Sequence, residues 1–167
     1  MKTQSNSKRA LTTRQLTTAA IIAALYVVLT LISSALGIAS GVIQVRISEA
    51  LTILPCFTVA AVPGVTIGCL LANFVTGAPL PDVIFGTLAT LIGVIGARLL
   101  KKKPYLAPLP TILANAIIIP FVLRFAYGVP DAIWFMFLTV GAGEVISAGI
   151  LGILLYKVLK KQPALFQ

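Results

Sequence analysis

The sequence predicts an all-α integral membrane protein, a bundle of six transmembrane helices with both termini in the cytoplasm. Apolar residues make up 59% of the chain and charged residues only 10%, whereas a soluble domain carries roughly 25% charged residues because its surface faces water. Mean hydropathy is +1.05, so most of the surface is suited to lipid. Eleven of the thirteen cations fall in three clusters: Lys2, Lys8, Arg9 and Arg14; then Arg98, Lys101, Lys102 and Lys103; then Lys157, Lys160 and Lys161. Such Lys/Arg-rich flanks stay in the cytoplasm. With all three inside, the chain must cross the bilayer an even number of times between each. A span takes ~20 residues, so 167 residues allow about six or seven and the whole chain is one membrane domain.

Two crossings in each interval place the spans at roughly 15–36, 47–62, 64–77, 82–99, 106–124 and 131–157. Thr12 with Gln15 three residues later is a capping-box pattern that starts the first helix. Its basic start and apolar run resemble a signal peptide, but the run is near full spanning length and the rest of the chain is equally apolar. The uncharged stretch 50–81 carries Pro63-Gly64 near its centre, which favours two short helices joined by a tight turn there. Residues 37–46, Pro79-Leu80-Pro81 and Tyr127-Gly128-Val129-Pro130 become outside loops. Residues 1–14 form a basic cytoplasmic segment, 15–160 the membrane domain and 161–167 a cytoplasmic tail.

The net charge of +9 does not indicate nucleic acid, because no basic run is interleaved with aromatics in a polar setting. Cys56 and Cys69 form no CxxC motif and read as small packing residues. Small residues recur every four positions, as Ala19 and Ala23, Ala20 and Ala24, and Gly64, Gly68 and Ala72. Such stripes let helices approach closely, either within the chain or against another membrane protein. The first-helix alanines are the better candidates for a partner.

The four acids fall in the outer half or near the midplane. Glu49 opens the second helix, Asp82 the fourth and Asp131 the sixth. Glu144 lies 13 residues beyond Asp131, near the membrane centre, where an ionised group costs ~2.5–3.5 kcal/mol on insertion scales and is by default a candidate functional residue. Arg46 and Glu49, three apart, share a helix face and suit either an ion pair or a ligand. Asp82 and Asp131 each follow a proline and precede an apolar run, so N-capping explains each without any function, and Asp82 alone is kept as a site candidate. Asn73 and Asn115 sit inside apolar helices, where a carboxamide needs a partner, as a helix clamp or a ligand contact. The chain has no histidine, and no nucleophile with a base, metal cluster or phosphate-cradling loop is legible. Catalysis, a metal and a cofactor are therefore not expected. What remains is a binding pocket open to the outside, lined by carboxylates, carboxamides and Tyr127 or Trp134, and suited to a planar ligand rich in N–H donors.

Three strings carry a family likeness. Gln44-Val45-Arg46-Ile47-Ser48-Glu49-Ala50-Leu51-Thr52-Ile53-Leu54-Pro55, then Val62-Pro63-Gly64 with Gly68-Cys69-Leu70-Leu71-Ala72-Asn73, then Asp82-Val83-Ile84-Phe85-Gly86-Thr87-Leu88-Ala89-Thr90-Leu91 resemble the QueT family. The likeness runs from about residue 12 to 160 and includes Leu106-Ala107-Pro108-Leu109-Pro110, Asn115 and Gly143-Glu144, with Val45 standing where a bulkier aromatic is expected. The resemblance implies a substrate-binding S component of an energy-coupling factor transporter in the bacterial plasma membrane, associated with queuosine precursors. Implied partners are a transmembrane coupling subunit and two cytoplasmic ATPases, with Ala19, Ala20, Ala23 and Ala24 docking on the former. For a 7-deazaguanine base, Glu144 or Glu49 would accept the N–H edge and Arg46, Asn73 or Asn115 would donate to the carbonyl. The candidate site is thus Arg46, Glu49, Asn73, Asp82, Asn115, Glu144 and Trp134. Two other readings stay open: an autonomous transporter with Glu144 as a proton-coupling carboxylate, and a structural membrane subunit without a ligand.

Overall fold

The first helix, α1 (Thr13–Ala35), starts where the sequence predicts, with both halves of the capping box formed: the Gln15 N–H donates to Thr12 Oγ1 at 3.3 Å and the Thr12 N–H to Gln15 Oε1 at 3.0 Å. This computed structural model describes residues 12–39 and 43–162. Most of the N-terminal basic cluster (Lys2, Lys8, Arg9), the centre of the 37–46 loop and the end of the C-terminal tail lie outside the described residues. A 3₁₀ helix, η1 (Ile47–Cys56), comes next, then α2 (Ala61–Val75), α3 (Leu80–Leu99), α4 (Leu109–Phe125) and α5 (Ile133–Glu144). A π-helical segment (Val145–Leu151) joins α5 to α6 (Gly152–Leu159) in one continuous rod of 27 residues. The described residues contain no strand.

Among the described residues, three elements are long and apolar enough to cross a bilayer: α1, α3 and the α5–α6 rod. The other apolar helices are shorter, with 10, 15 and 17 residues in η1, α2 and α4. Consecutive helices from α1 to α5 pack as neighbours, while η1 touches α1, α2, α3, the π-helical segment and α6. η1 is therefore the axis of the bundle, and every residue from Ser48 to Pro55 is buried. A 3₁₀ helix rises ~2.0 Å per residue against ~1.5 Å for an α-helix, so these ten residues reach about as far as 13 α-helical ones.

The expected turn at Pro63-Gly64 is displaced. The chain reverses at residues 57–60, and Pro63 is the third residue of α2. Proline is tolerated there because the first-turn N–H groups have no intrahelical acceptor. Gly64 belongs instead to the α1–α2 contact: a β-carbon on it would lie 2.8 Å from the Ala19 carbonyl oxygen, and one on Gly68 would lie 2.7 Å from Tyr26 Cβ and 3.0 Å from Ala23 Cα. This corrects half of the partner-docking expectation. Ala19 and Ala23 are buried against α2 within the chain, and only Ala20 and Ala24 face outward.

Large apolar side chains point out, as in the α3 stripe Ile84, Leu88, Ile92 and Ile95. The interior is built from smaller or polar-tipped groups around Ile22, Tyr26, Leu51, Leu54, Val65, Cys69 and Val94. In lipid no hydrophobic force separates inside from outside, so close backbone approach and hydrogen bonds between helices hold such a bundle together.

Candidate functional site

Tyr26, Thr30 and Ser33 lie on one face of α1, spaced by four and three residues, and all are buried. Each holds the start of η1. The Tyr26 hydroxyl donates to Glu49 Oε1, the Thr30 hydroxyl to Ser48 Oγ at 2.8 Å, and the Ile47 N–H to Ser33 Oγ at 2.9 Å. From the other side, the Arg46 N–H donates to Ser147 Oγ at 3.1 Å, on the π-helical segment. The Gln44 carbonyl lies directly against Gly143, where a β-carbon would collide with it. Segment 44–46 is thus fixed between α1 and α5, with Arg46 extended at the N-cap of η1, and the 3₁₀ repeat of three carries Glu49 and Thr52 on one face.

Arg46 does not pair with Glu49. Its guanidinium reaches Asp82 on α3, with Nη2 3.9 Å from Oδ2, and the Tyr127 hydroxyl donates to the same oxygen at 2.6 Å. N-capping does not account for Asp82: α3 begins two residues earlier, Pro79 is its N-cap, and the Asp82 carboxylate turns inward at 2% exposure. Nor does Asp131 cap, since α5 starts after Ala132 with no side-chain cap bond, and Asp131 is exposed. Asn73 Nδ2 donates to the Asp82 carbonyl at 3.4 Å, clamping α2 to α3. Gly86 makes room for this cluster, since its β-carbon would stand 2.9 Å from Asp82 Oδ1 and 3.2 Å from Asn73 Nδ2. Burial, and then the bond to Asp82, pushes the Tyr127 phenol well above its usual range, which keeps it a donor at neutral pH.

These groups surround two adjoining cavities at the end of the bundle opposite Lys101–Lys103 and Lys157–Lys161. The outer chamber, of about 460 Å³, is lined by Thr30, Gln44, Arg46, Asn73, Asp82 and Tyr127 among others, and falls in the size range of small-molecule sites. The inner chamber holds about 20 Å³ and is lined by Arg46, Glu49, Thr90, Asn115 and Glu144, with Gln44, Ile119 and Arg46 shared between the two. Beneath it the apolar core of Leu51, Leu54, Val65 and Val94 fills the bundle. Three buried carboxylate oxygens at the chambers have no hydrogen-bond partner among the described residues: Glu49 Oε2, Asp82 Oδ1 and Glu144 Oε2. Three carboxylates face one guanidinium.

Six of the seven residues expected at the site meet there: Arg46, Asn73 and Asp82 at the outer chamber, and Glu49, Asn115 and Glu144 at the inner one, with Arg46 touching both. Trp134 does not. It is 66% exposed at the start of α5, edge-on to Phe135, and lines neither chamber. Sequence reasoning passes over Tyr26, Gln44, Gly86 and Thr90. Tyr26, Thr30 and Ser33 do leave a signal, a polar stripe at helical spacing within an otherwise apolar span.

Apolar helices around a ligand-sized polar chamber with unfilled acceptors define a membrane protein that binds or transports a small polar molecule. The chain belongs to the QueT transporter family, whose model matches residues 16–161. It is 42% identical over 80 residues to the queuosine precursor transporter QueT of Lactococcus lactis subsp. cremoris (strain MG1363), a match spanning 48% of this chain and 47% of that protein. No solved structure matches the chain.

Proposed function

We propose that this chain is the membrane-embedded substrate-binding component of an energy-coupling factor importer, crossing the cell membrane six times with both termini in the cytoplasm. It captures a queuosine precursor, a 7-deazaguanine-type base, from outside. A transmembrane coupling subunit and two cytoplasmic ATPases drive its release inside, and this chain performs no catalysis. One observation carries the binding role: the buried acceptors Glu49 Oε2, Asp82 Oδ1 and Glu144 Oε2 take no hydrogen bond from the described residues and stand around a chamber of ligand size. An unpartnered buried polar group costs ~1–3 kcal/mol, and more when charged, so a ligand that donates to these oxygens recovers that cost on binding. The 42% identical relative is named for queuosine precursors, and a 7-deazaguanine presents adjacent ring N–H and amine donors with a neighbouring carbonyl. In this reading Asp82 Oδ1 accepts the donor edge in the outer chamber and Arg46 donates to the carbonyl, while Asn73, whose Nδ2 donates to the Asp82 carbonyl and to Cys69 Sγ, holds Asp82 in place.

The test is uptake of a labelled 7-deazaguanine by cells expressing this chain with or without the coupling subunit and ATPases, alongside binding to the purified chain. The solitary chain should bind without accumulating the base, and accumulation should require all partners. Accumulation by the chain alone would establish an autonomous transporter, and absence of binding would remove the ligand assignment.

A further inference from the structure

We infer that a groove along the α5–α6 rod is a site for one anionic phospholipid, with an acyl chain lying in the groove and the phosphate on Lys157. The groove encloses about 380 Å³ and is lined by Val145, Gly149, Ile150, Ile153, Leu154 and Lys157. It shares no residue with either ligand chamber. Its shape follows from the π-helical segment. In an uninterrupted α-helix, at ~100° per residue, these six residues would spread over about half of the circumference. The wider turn of Val145–Leu151, whose bonds span five residues in place of four, gathers them towards one stripe. Gly149 deepens the floor, since a β-carbon there would meet nothing closer than Ile112 Cδ1 at 3.7 Å.

Length selects the chain. From Val145 to Lys157 a helix rises ~18 Å, and somewhat less through π turns, while one leaflet of a ~30 Å hydrocarbon core is ~15 Å deep. The groove therefore runs from about the midplane to the headgroups, as an acyl chain does. Its walls are apolar until Lys157, in the last turn of α6. Charge selects the headgroup. Lys157, Lys160 and Lys161 are all exposed, and the neighbouring Tyr156 packs against Phe57 at 5.2 Å and Tyr105 at 6.2 Å, rings of the kind that sit at headgroup level. All four acids of the chain lie elsewhere: Glu49 and Glu144 at the inner chamber, Asp82 at the outer one and Asp131 just before α5. Among the described residues no acid pairs with these lysines. A phosphodiester supplies the anion, and in the topology proposed above this end lies in the cytoplasmic leaflet, whose anionic lipids attract such clusters.

The experiment is native mass spectrometry of the full chain released from micelles that hold equal amounts of dioleoyl phosphatidylglycerol and dioleoyl phosphatidylcholine, which differ only in the headgroup. One phosphatidylglycerol should stay bound, in about tenfold excess over phosphatidylcholine. A lysine near a membrane surface is worth about fivefold in affinity for anionic lipid, so Lys157→Gln should cut that preference about fivefold. Gly149→Leu fills the floor and should lower retention of both lipids, and Leu154→Trp, at an exposed position, serves where the first variant does not fold. A photoactivatable benzophenone side chain in place of Ile150 then identifies the occupant in cells that also make the coupling subunit and ATPases, where it should attach to lipid. Equal retention of the two lipids by the parent protein overturns the site, as does a preference that survives Lys157→Gln. Retention unmoved by filling the groove would mean that the lysines attract headgroups without a seat for the chain, and attachment of position 150 to the coupling subunit would make the groove a protein interface. Either result also overturns it. The mass measurements use no deazaguanine, so their failure leaves the transport reading untouched.

Discussion

Replacing Gly143 by alanine tests whether the placement of Arg46 depends on direct contact between segment 44–46 and α5. The new β-carbon would take the place of the Gln44 carbonyl oxygen, with Gln44 C and N only 3.0 and 3.3 Å away. All three are backbone atoms, so no side-chain rotation relieves the clash. Carbon and carbonyl oxygen settle at ~3.3–3.6 Å even in close contacts, so the segment must lift by about 1 Å or more. The Arg46 N–H to Ser147 Oγ bond, at 3.1 Å, then passes beyond hydrogen-bond range. Overpacking costs typically ~1–3 kcal/mol and a lost neutral hydrogen bond ~0.5–1.5 kcal/mol, offset by up to ~1 kcal/mol because alanine is the better helix former. Net destabilisation is about 1–3 kcal/mol. Because the Arg46 guanidinium moves with its backbone, ligand affinity should fall about tenfold or more. Thermal melting and ligand titration of the purified chain measure both effects. Gly141→Ala is the control, since its β-carbon would meet nothing closer than Ala116 Cβ at 3.7 Å. A Gly143→Ala protein that melts and binds as the parent does would refute the reasoning.

Ala23→Leu should lower the melting temperature of the solitary chain, because Ala23 Cα stands 3.0 Å from where a Gly68 β-carbon would be, while outward-facing Ala24→Leu should leave fold and ligand binding intact and reduce transport only in the presence of the coupling subunit. The reverse pattern in melting would mean that α1 faces its neighbours differently. In a variant lacking Cys56 and Cys69, a cysteine at Gly128 should react with an impermeant thiol reagent from outside intact cells, and one at Lys102 only after permeabilisation. Labelling of position 102 in intact cells would overturn the six-span, inside-ended topology.

Much of this arrangement is legible in the sequence because lipid makes charge expensive. A span tolerates Glu144 or Asn115 only if something compensates for it, so polar residues inside apolar runs point to the site without knowledge of the packing. Arg46, Glu49, Asn73, Asp82, Asn115 and Glu144 all reach the two chambers for that reason. What one-dimensional spacing does not carry is pairing between elements. The three-residue interval between Arg46 and Glu49 suits an ion pair, but Arg46 stands before η1 with an extended backbone, its guanidinium reaches Asp82, and Glu49 accepts from Tyr26. Trp134 is suggested by residue type alone, and its position at the exposed start of α5 removes it. Helix boundaries shift where proline does not break a helix: Pro63 sits in the permissive first turn of α2 and Pro55 is inside η1.

The distribution of satisfied and unsatisfied polar groups separates scaffold from site. Thr30, Ser33, Ser48, Thr52 and Ser147 are buried, and each takes part in a hydrogen bond that ties η1 to α1, to the π-helical segment or to itself. Of the four buried side-chain atoms without a partner among the described residues, Thr111 Oγ1 lies apart, against Gly93 on the α3–α4 contact, and the other three are carboxylate oxygens at the chambers. Were the acids present only to stabilise the bundle, their second oxygens would be the first to find donors, since charged acceptors gain most from them. Serine and threonine hydroxyls next to them are instead spent on the backbone and on one another. Apart from Thr111 Oγ1, the described part of the bundle thus completes its buried side-chain hydrogen bonding up to the chamber walls and stops there. A ligand that binds the folded chain and not the unfolded one stabilises it by RT ln(1 + [L]/Kd). The protein should therefore reach its highest stability only when the last three acceptors are filled from outside.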